Sequence, residues 1–456
     1  MIAAEELLPV VAGFLPRQRW YAGSTIPSSL AVVWFEETKS PWPALVDLVV
    51  DADGARYQVA VGLRPAHEHP DFLRTHDEGV MGEVDTADGR ALAYEATLDY
   101  QLGLVLLDRV TEGKERADHV RPVGVEQSNS SLVFDDRVIL KLFRRLQRGP
   151  NPEVEVTEAL AAVGFSHIAA PLATMAFDDT HLAVVQPYLF GGVEGWALAM
   201  TSLRDFFGVY DTQSMPVIDP NAPPPPAPGP GDAGGDFAGE AERLGVVTAE
   251  LHLAMAEAFG RRPGDPWAWA EDIGAQAVRV GTEHLDPAAV GRVLDNLRSV
   301  SDAGAAIRVH GDYHLGQVMR TDTGWCVLDF EGEPARPLEE RRRPSSPLRD
   351  VAGMLRSLHY VSLVGLSDRD DVELARAWEA RNRQAFLDGY LAEAKRGAIL
   401  PTDDQSLKAV LRAFELEKAV YELGYEQSYR PHWTHIPKAA LARLSEHTWP
   451  PEVSPS

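Results

Sequence analysis

Hydrophobic positions in this chain repeat with two periods, and the change from one to the other divides it. A short helix over residues 3–14 gives way to alternation: 30–35, 45–50 and 57–63 read as strands, the last two flanking an Asp53-Gly54 hairpin turn. Residues 91–107 repeat at helical spacing, with Leu92, Ala96, Leu102 and Leu106 on or near one face. Strand-like runs return at 132–134 and 138–143, around an Asp135-Asp136 turn, and again at 182–188. From residue 236 the period is helical. Leu244, Val247, Leu251 and Met255 form one stripe; Leu348, Val351, Leu355 and Leu358 form another, opened by Ser346 as cap and Pro347 in the first turn. Residues 218–235 are rich in Pro and Gly and read as a loop. The pattern predicts an α+β chain: a β-rich cap subdomain over 1–90, a second β-rich segment over 91–190, and a mainly helical remainder over 191–456.

One β-rich island interrupts the helical part. The apolar runs 306–309 and 325–328 each end in acids and amides, and a turn at Asp322-Thr323-Gly324 lets the stretch read as an antiparallel hairpin. The first run supplies Asp312, His314 and Gln317; the second supplies Asp329 and Glu331. A hairpin brings distant carboxylates to one cleft, and this set suits phosphoryl transfer. One carboxylate must orient the attacking hydroxyl and take its proton; another, with an amide oxygen, must hold magnesium against the nucleotide phosphates. Asp312 fits the first role, Gln317 and Asp329 the second, and His314 lies on the acceptor side.

Upstream, Lys141 interrupts an apolar strand between Leu140 and Leu142. Such a lysine either points outward or neutralises something buried, and with the acids downstream the phosphates of ATP are its expected partner. Glu153, Glu155 and Glu158 follow in a helix; spacing from the helix end puts Glu155 first as the lysine's partner and Glu153 second. Ser128, Asn129 and Ser130, in the polar loop before the lysine strand, can cradle phosphate. His252 reads as a core histidine, and Asp350 as structural, paired with Arg349 or with the catalytic turn. Trp20 and Tyr21 read as packing residues, with Arg17 and Arg19 paired to surface acids.

Charge changes the picture in one respect. The 456 residues carry a formal charge of −25, which argues against a nucleic-acid partner and repels ATP at long range. A nucleotide enzyme then needs a local basic patch, and Arg144, Arg145 and Arg148 are the candidates. No apolar run is long enough to span a membrane, and Met1 to Pro9 lacks a basic leader. The single cysteine, Cys326, sits in an apolar strand; a buried thiol and a cytoplasmic location are expected.

The string HGDYHLGQ followed by VLDFEGE resembles the aminoglycoside-phosphotransferase and choline-kinase group, and through it the bilobal protein-kinase fold. With PARPLEERRRPSSPLRDVAGMLRS appended it resembles maltokinases, as does YELGYEQSYRPHW near the C-terminus. Gln317 stands where kinases carry asparagine, and Asp329-Phe330-Glu331 replaces DFG, which leaves open whether Glu331 also touches metal. The resemblance implies a β-rich N-lobe with the adenine hinge at Gln186 and Tyr188, ATP and Mg2+ as cofactors, and maltose as acceptor, phosphorylated at its anomeric hydroxyl for α-glucan synthesis. It also implies an association with an enzyme interconverting trehalose and maltose. Aromatic rings hold sugar C–H faces while charged groups hold hydroxyls, so Lys418, Tyr421, Glu422, Tyr425 and Trp433 are the expected acceptor site. A kinase for another sugar such as glucosamine, an aminoglycoside-type kinase or a non-catalytic sugar binder are the alternatives.

Overall fold

Branched and aromatic residues alternate with polar ones mainly in the first of two compact units, and the two larger sheets lie there. The structure, a computed structural model, describes all residues except 1, 39–41, 69, 124–128, 214–228, 233–234, 282–284, 334–335, 367–368 and 446–456. The units are Met1–Glu158 with Ala169–Phe190, and Ala159–Ile168 with Gly191–Ser456. Most of the loop expected over 218–235 lies outside the described residues.

In the first unit, strands β1 (Leu30–Thr38), β2 (Ala44–Ala52), β3 (Ala55–Pro65), β4 (Val80–Thr86) and β5 (Gly89–Glu95) form a sheet in the order β1-β2-β3-β5-β4. The helix Ala4–Phe14 buries Leu7, Val11 and Phe14 in the same core as β2 and β3 residues Val46, Val50 and Val59. A second sheet contains β6 (Val120–Pro122), β7 (Asn129–Phe134) and β8 (Val138–Phe143). A short β9 (Arg145–Leu146) follows, and β10 (Ala173–Phe177) and β11 (Thr180–Pro187) complete this sheet in the order β10-β11-β8-β7-β6. Directly after β8 the chain crosses over, and β9 pairs with β3, so the cap sheet holds the end of the lysine strand.

The helix expected over 91–107 is a strand in its first half. Ala91, Ala93 and Glu95 pair with β3, and the helix proper is Tyr100–Thr111. Asp99 sets that start: its carboxylate caps the Gln101 amide at 2.9 Å and also takes hydrogen bonds from Tyr94 and Arg64. Trp20 is buried against Phe14 and Tyr57, as a packing residue should be. Among the described residues Arg17 pairs with no acid; its guanidinium donates to the Val80 carbonyl at 2.6 Å.

The second unit is built on the helices Ala238–Phe259, Leu348–Leu366, Val372–Ala394 and Asp404–Tyr429. Ala238–Phe259 and Val372–Ala394 approach to backbone contact. A Cβ on Gly245 would meet the Phe386 carbonyl at 2.1 Å, and one on Gly389 would meet the Glu242 carbonyl at 2.1 Å. On this frame sit β12 (Val193–Glu194), β13 (Arg261–Pro263), β14 (Ala305–Ile307), β15 (Val318–Thr321) and β16 (Gly324–Val327).

The expected hairpin exists, but with a different first arm. β15 and β16 are its arms, paired from Val318↔Val327 to Thr321↔Gly324, while the run at 305–307 pairs with β13 instead. Residues 308–317 are therefore a loop leading into the hairpin. Cys326 is buried in β16. Among the described residues no helix is long and apolar enough to cross a membrane.

Candidate active site

The loop before the hairpin is pinned by its backbone. Asp350, buried on the helix Leu348–Leu366, accepts hydrogen bonds from the amides of His310 (2.7 Å) and Gly311 (2.9 Å) and from His252 Nε2 (3.1 Å). His252 is braced in turn by the Tyr390 hydroxyl at 2.9 Å. Of the two partners expected for Asp350, the catalytic turn is therefore the one it takes, and His252 is the satisfied core histidine expected. Gly353, one turn on, lets the helix press against the loop, because a Cβ there would meet the Tyr313 carbonyl at 2.5 Å. Replacing Asp350 by Ala would orphan two buried N–H groups, each costing about 1–3 kcal/mol. We expect a loss of about 3–5 kcal/mol, read by denaturant melts, with the loop 308–317 losing hydrogen-exchange protection first.

His310 ties the two ends of the chemistry together. Its Nδ1 accepts from the Asp312 amide at 3.3 Å, and its Nε2 meets the Leu328 carbonyl at 2.9 Å, beside Asp329. The Leu328 amide donates to the Gln317 carbonyl at 2.9 Å, which extends the ladder to the point where Gln317 Nε2 reaches Asp329 Oδ2 at 3.0 Å. Asp329 adopts φ 58°, a left-handed conformation that costs a non-glycine residue about 1 kcal/mol and turns its carboxylate off the strand. A carboxylate and an amide oxygen are hard donors of the type magnesium takes together with phosphate oxygens, so Gln317 and Asp329 fit that ion. Glu331 follows with its amide 3.4 Å from Asp329 Oδ1 and its carbonyl held by Arg341 at 2.7 Å.

Asp312 is the electrostatic centre. Burial pushes its carboxyl up, but the Lys418 ammonium, with His314 and His310, outweighs burial and holds it down to about 2. Lys418 Nζ lies 3.0 Å from Asp312 Oδ1 and 2.8 Å from Glu333 Oε1. Burial would lower the Lys418 ammonium, but Glu333 and Asp312 raise it and keep it charged. His314 accepts the Gly316 amide at Nδ1 (3.0 Å), which leaves its proton on Nε2. Burial pushes its pKa down despite the field of Asp312, so the ring is neutral near pH 7.

Of the expected acceptor residues, Lys418, Tyr421, Glu422 and Tyr425 lie on the helix Asp404–Tyr429 and Trp433 on the turn Pro431–Trp433 that follows, but most face partners of their own. Glu422 takes a two-pronged hydrogen bond from Arg356, at 3.0 and 2.6 Å. Tyr421 covers Lys418, and the Arg430 guanidinium lies over Trp433 (4.6 Å) and Tyr425 (5.2 Å). Burial raises Glu422 and Glu426 above the usual carboxylate range, in spite of Arg356 and Arg430.

In the first unit Lys141 is half-buried on β8, opposite Ser131 and Val184, with Leu140 and Leu142 turned into the core on the other face. Its ammonium meets Glu153 Oε1 at 2.6 Å, so the second-ranked glutamate, Glu153, takes the ion pair. The reason is helical phase: Glu153, Val156, Thr157 and Leu160 form the buried stripe of the helix Pro152–Ala162, and Glu155 sits off it. Arg144 leaves the expected basic patch. It is buried, paired with Glu95 at 2.6 Å and with the Ser130 hydroxyl at 2.9 Å, under the Trp20 ring. Arg145 and Arg148 remain exposed.

Asn129 is half-buried opposite Phe143, whereas Ser128 lies outside the described residues. Gln186 is buried in the sheet opposite Ile139. The Tyr188 amide, expected to read adenine, already donates to the Arg137 carbonyl at 2.8 Å.

Sequence reasoning missed Glu333, His310 and Arg356. The signal for Glu333 was the arginines that follow it, Arg336 and Arg349, since cations crowded beside an acid-rich turn mark a buried carboxylate.

Comparison with known proteins follows the same lines. Residues 14–99 match the maltokinase N-terminal cap domain and residues 231–332 the phosphotransferase enzyme family. A glucosamine kinase of Streptacidiphilus jiangxiensis is 30% identical over 349 residues, covering 71% of this chain and 73% of its own. One from Mycolicibacterium smegmatis is 30% identical over 339 residues, covering 71% and 79%. The solved structure of a glucosamine kinase in complex with glucosamine, ADP and inorganic phosphate shares the fold, with a TM-score of 0.68 at 22% identity over 97% of this chain and 100% of that one.

Proposed function

The chain belongs to the phosphotransferase enzyme family and carries a maltokinase N-terminal cap, and from that premise we propose that it is an ATP-dependent sugar kinase whose acceptor is glucosamine. The observation that carries the chemistry is the single loop and hairpin that presents a half-buried, ionised Asp312 together with the Gln317–Asp329 pair, both tied to His310. Asp312 orients the acceptor hydroxyl and takes its proton. A loose transition state asks more for alignment than for a strong base, so a carboxyl held well below its ordinary value suffices. Gln317 and Asp329, with Glu331 beside them, would hold magnesium, which supplies charge neutralisation on the phosphates. In the first unit Lys141, gripped by Glu153, is the candidate for binding nucleotide phosphate.

The maltose expectation moves to second place because two relatives that match 71% of the chain are glucosamine kinases. Maltose stays as the second reading on the strength of the cap domain. Steady-state kinetics with glucosamine, maltose, glucose and an aminoglycoside separate the two. We expect kcat/KM for glucosamine to exceed that for maltose by at least about tenfold, a gap that one well-placed charged contact can supply. The reverse order selects maltose. Tight ATP binding without turnover on any of the four would favour a sugar-binding pseudokinase.

A further inference from the structure

The sequence groups Lys418 with the acceptor ligands, but the fold leaves its ammonium no donor for a sugar. An ammonium has three N–H groups. One goes to Asp312 Oδ1 at 3.0 Å and a second to Glu333 Oε1 at 2.8 Å. The remaining side faces the Tyr421 ring, whose centroid is 4.9 Å from Nζ. Glu333 is itself shared. Its other oxygen accepts from Arg336 and, at 3.3 Å, from Arg349, and Glu417 pairs with both guanidiniums, at 2.8 Å and 3.3 Å. The outcome is an alternating run of charge around two buried carboxylates: Asp312, Lys418, Glu333, the two arginines, Glu417. Its three cations and three anions cancel, and its members come from the catalytic loop, the segment after the hairpin, the helix Leu348–Leu366 and the helix Asp404–Tyr429.

We propose that Lys418 is a positioning residue for Asp312 and not an acceptor ligand, and that Glu333 fixes where its ammonium sits. This rests on the kinase reading of Asp312. A lysine facing a carboxylate alone settles between both oxygens. Glu333 draws the ammonium to one side, so that Lys418 takes Oδ1 and leaves Oδ2 for the acceptor hydroxyl. His314 Nε2 stands 4.0 Å from Oδ2, too far to occupy it with a hydrogen bond. A carboxylate held by one oxygen keeps a single rotamer and an open lone pair, which is what a near-attack alignment needs.

The test is steady-state kinetics of Lys418→Met, Lys418→Arg and Glu333→Gln, with acceptor and ATP varied separately and rates normalised to folded protein by circular dichroism. For Lys418→Met we expect kcat to fall about 100-fold with acceptor KM within about twofold, the mark of an interaction that matters only in the transition state. Lys418→Arg, whose forked guanidinium can still bridge two carboxylates, should recover at least about tenfold of that loss. Glu333→Gln should lower kcat in the same direction with acceptor KM again unchanged. A merely structural role would lower Tm and leave the normalised kcat alone, and that result overturns the proposal. So does a rise of about tenfold or more in acceptor KM with kcat held within about twofold, because Lys418 would then be a sugar ligand. If Lys418→Met does not fold, Lys418→Arg decides on the same split between kcat and KM. The wild type keeps the two questions apart. If it transfers phosphate to no sugar, the function is misread; if it transfers while Lys418 variants show only a KM defect, the positioning role alone falls.

Discussion

Replacing Asp312 by Asn is expected to cut kcat about 1,000-fold while leaving MgATP affinity within about threefold, inside the 10²–10⁴ range typical of a lost general base. The amide keeps the size of the side chain and can still touch Lys418, but it can neither accept the hydroxyl proton nor present a negative charge to it. The fold should survive, because Lys418 retains Glu333 and the loop is held through Asp350 rather than through Asp312. The wild-type pH profile gives a second reading of the same group. With its carboxyl held down to about 2, Asp312 stays ionised throughout the working range and adds no acid limb to kcat/KM above about pH 4. Its share of stability follows the same sign: fully present above the ordinary carboxylate value and lost as pH falls toward 2. Asp312→Asn with near-normal turnover would refute the assignment.

The second large effect is expected at Lys141. Lys141→Met should lower kcat/KM for ATP about 100-fold, the scale of removing one preorganised donor from a transferring phosphoryl group. The substitution also strands Glu153, whose side chain is 4% exposed, and breaking a buried pair from one side costs about 3–5 kcal/mol. Lys141 is itself 22% exposed, so water screens the pair and a smaller loss is expected. Stability and chemistry can be separated here. Adding Glu153→Gln removes the stranded charge and should return most of the stability, read as Tm, but none of the ATP affinity. Recovery of activity in the double variant would mean that Lys141 matters only as the partner of Glu153.

The parts of the site that the sequence announced are those whose chemistry contradicts their surroundings. Lys141 stood inside an apolar strand, and Asp312, Gln317 and Asp329 clustered around one short β-rich island in a helical region. Such contradictions survive without knowledge of the fold. What stayed hidden depended on long-range pairing or on helical phase. The run at 305–307 has strand character, but its partner lies in β13, more than forty positions earlier, so no local pattern separates it from the hairpin arm Val318–Thr321. Glu153 and Glu155 differ only in the face they occupy, and the stripe through Thr157 and Leu160 decides between them. Lys418 lay on an aromatic helical face that suits sugar, and only the packing of that helix turned its ammonium to Asp312 and Glu333. Arg144 read as a basic surface residue because its partner, Glu95, is contributed by the cap sheet.

The most direct test is a phosphorus-31 spectrum of the wild-type protein incubated with MgATP and glucosamine. ADP and one new sugar-phosphate resonance are expected in equal amounts, with neither formed by Asp312→Asn on the same time scale. ADP and inorganic phosphate with no sugar phosphate, or an undiminished sugar-phosphate signal from Asp312→Asn, would contradict the kinase reading.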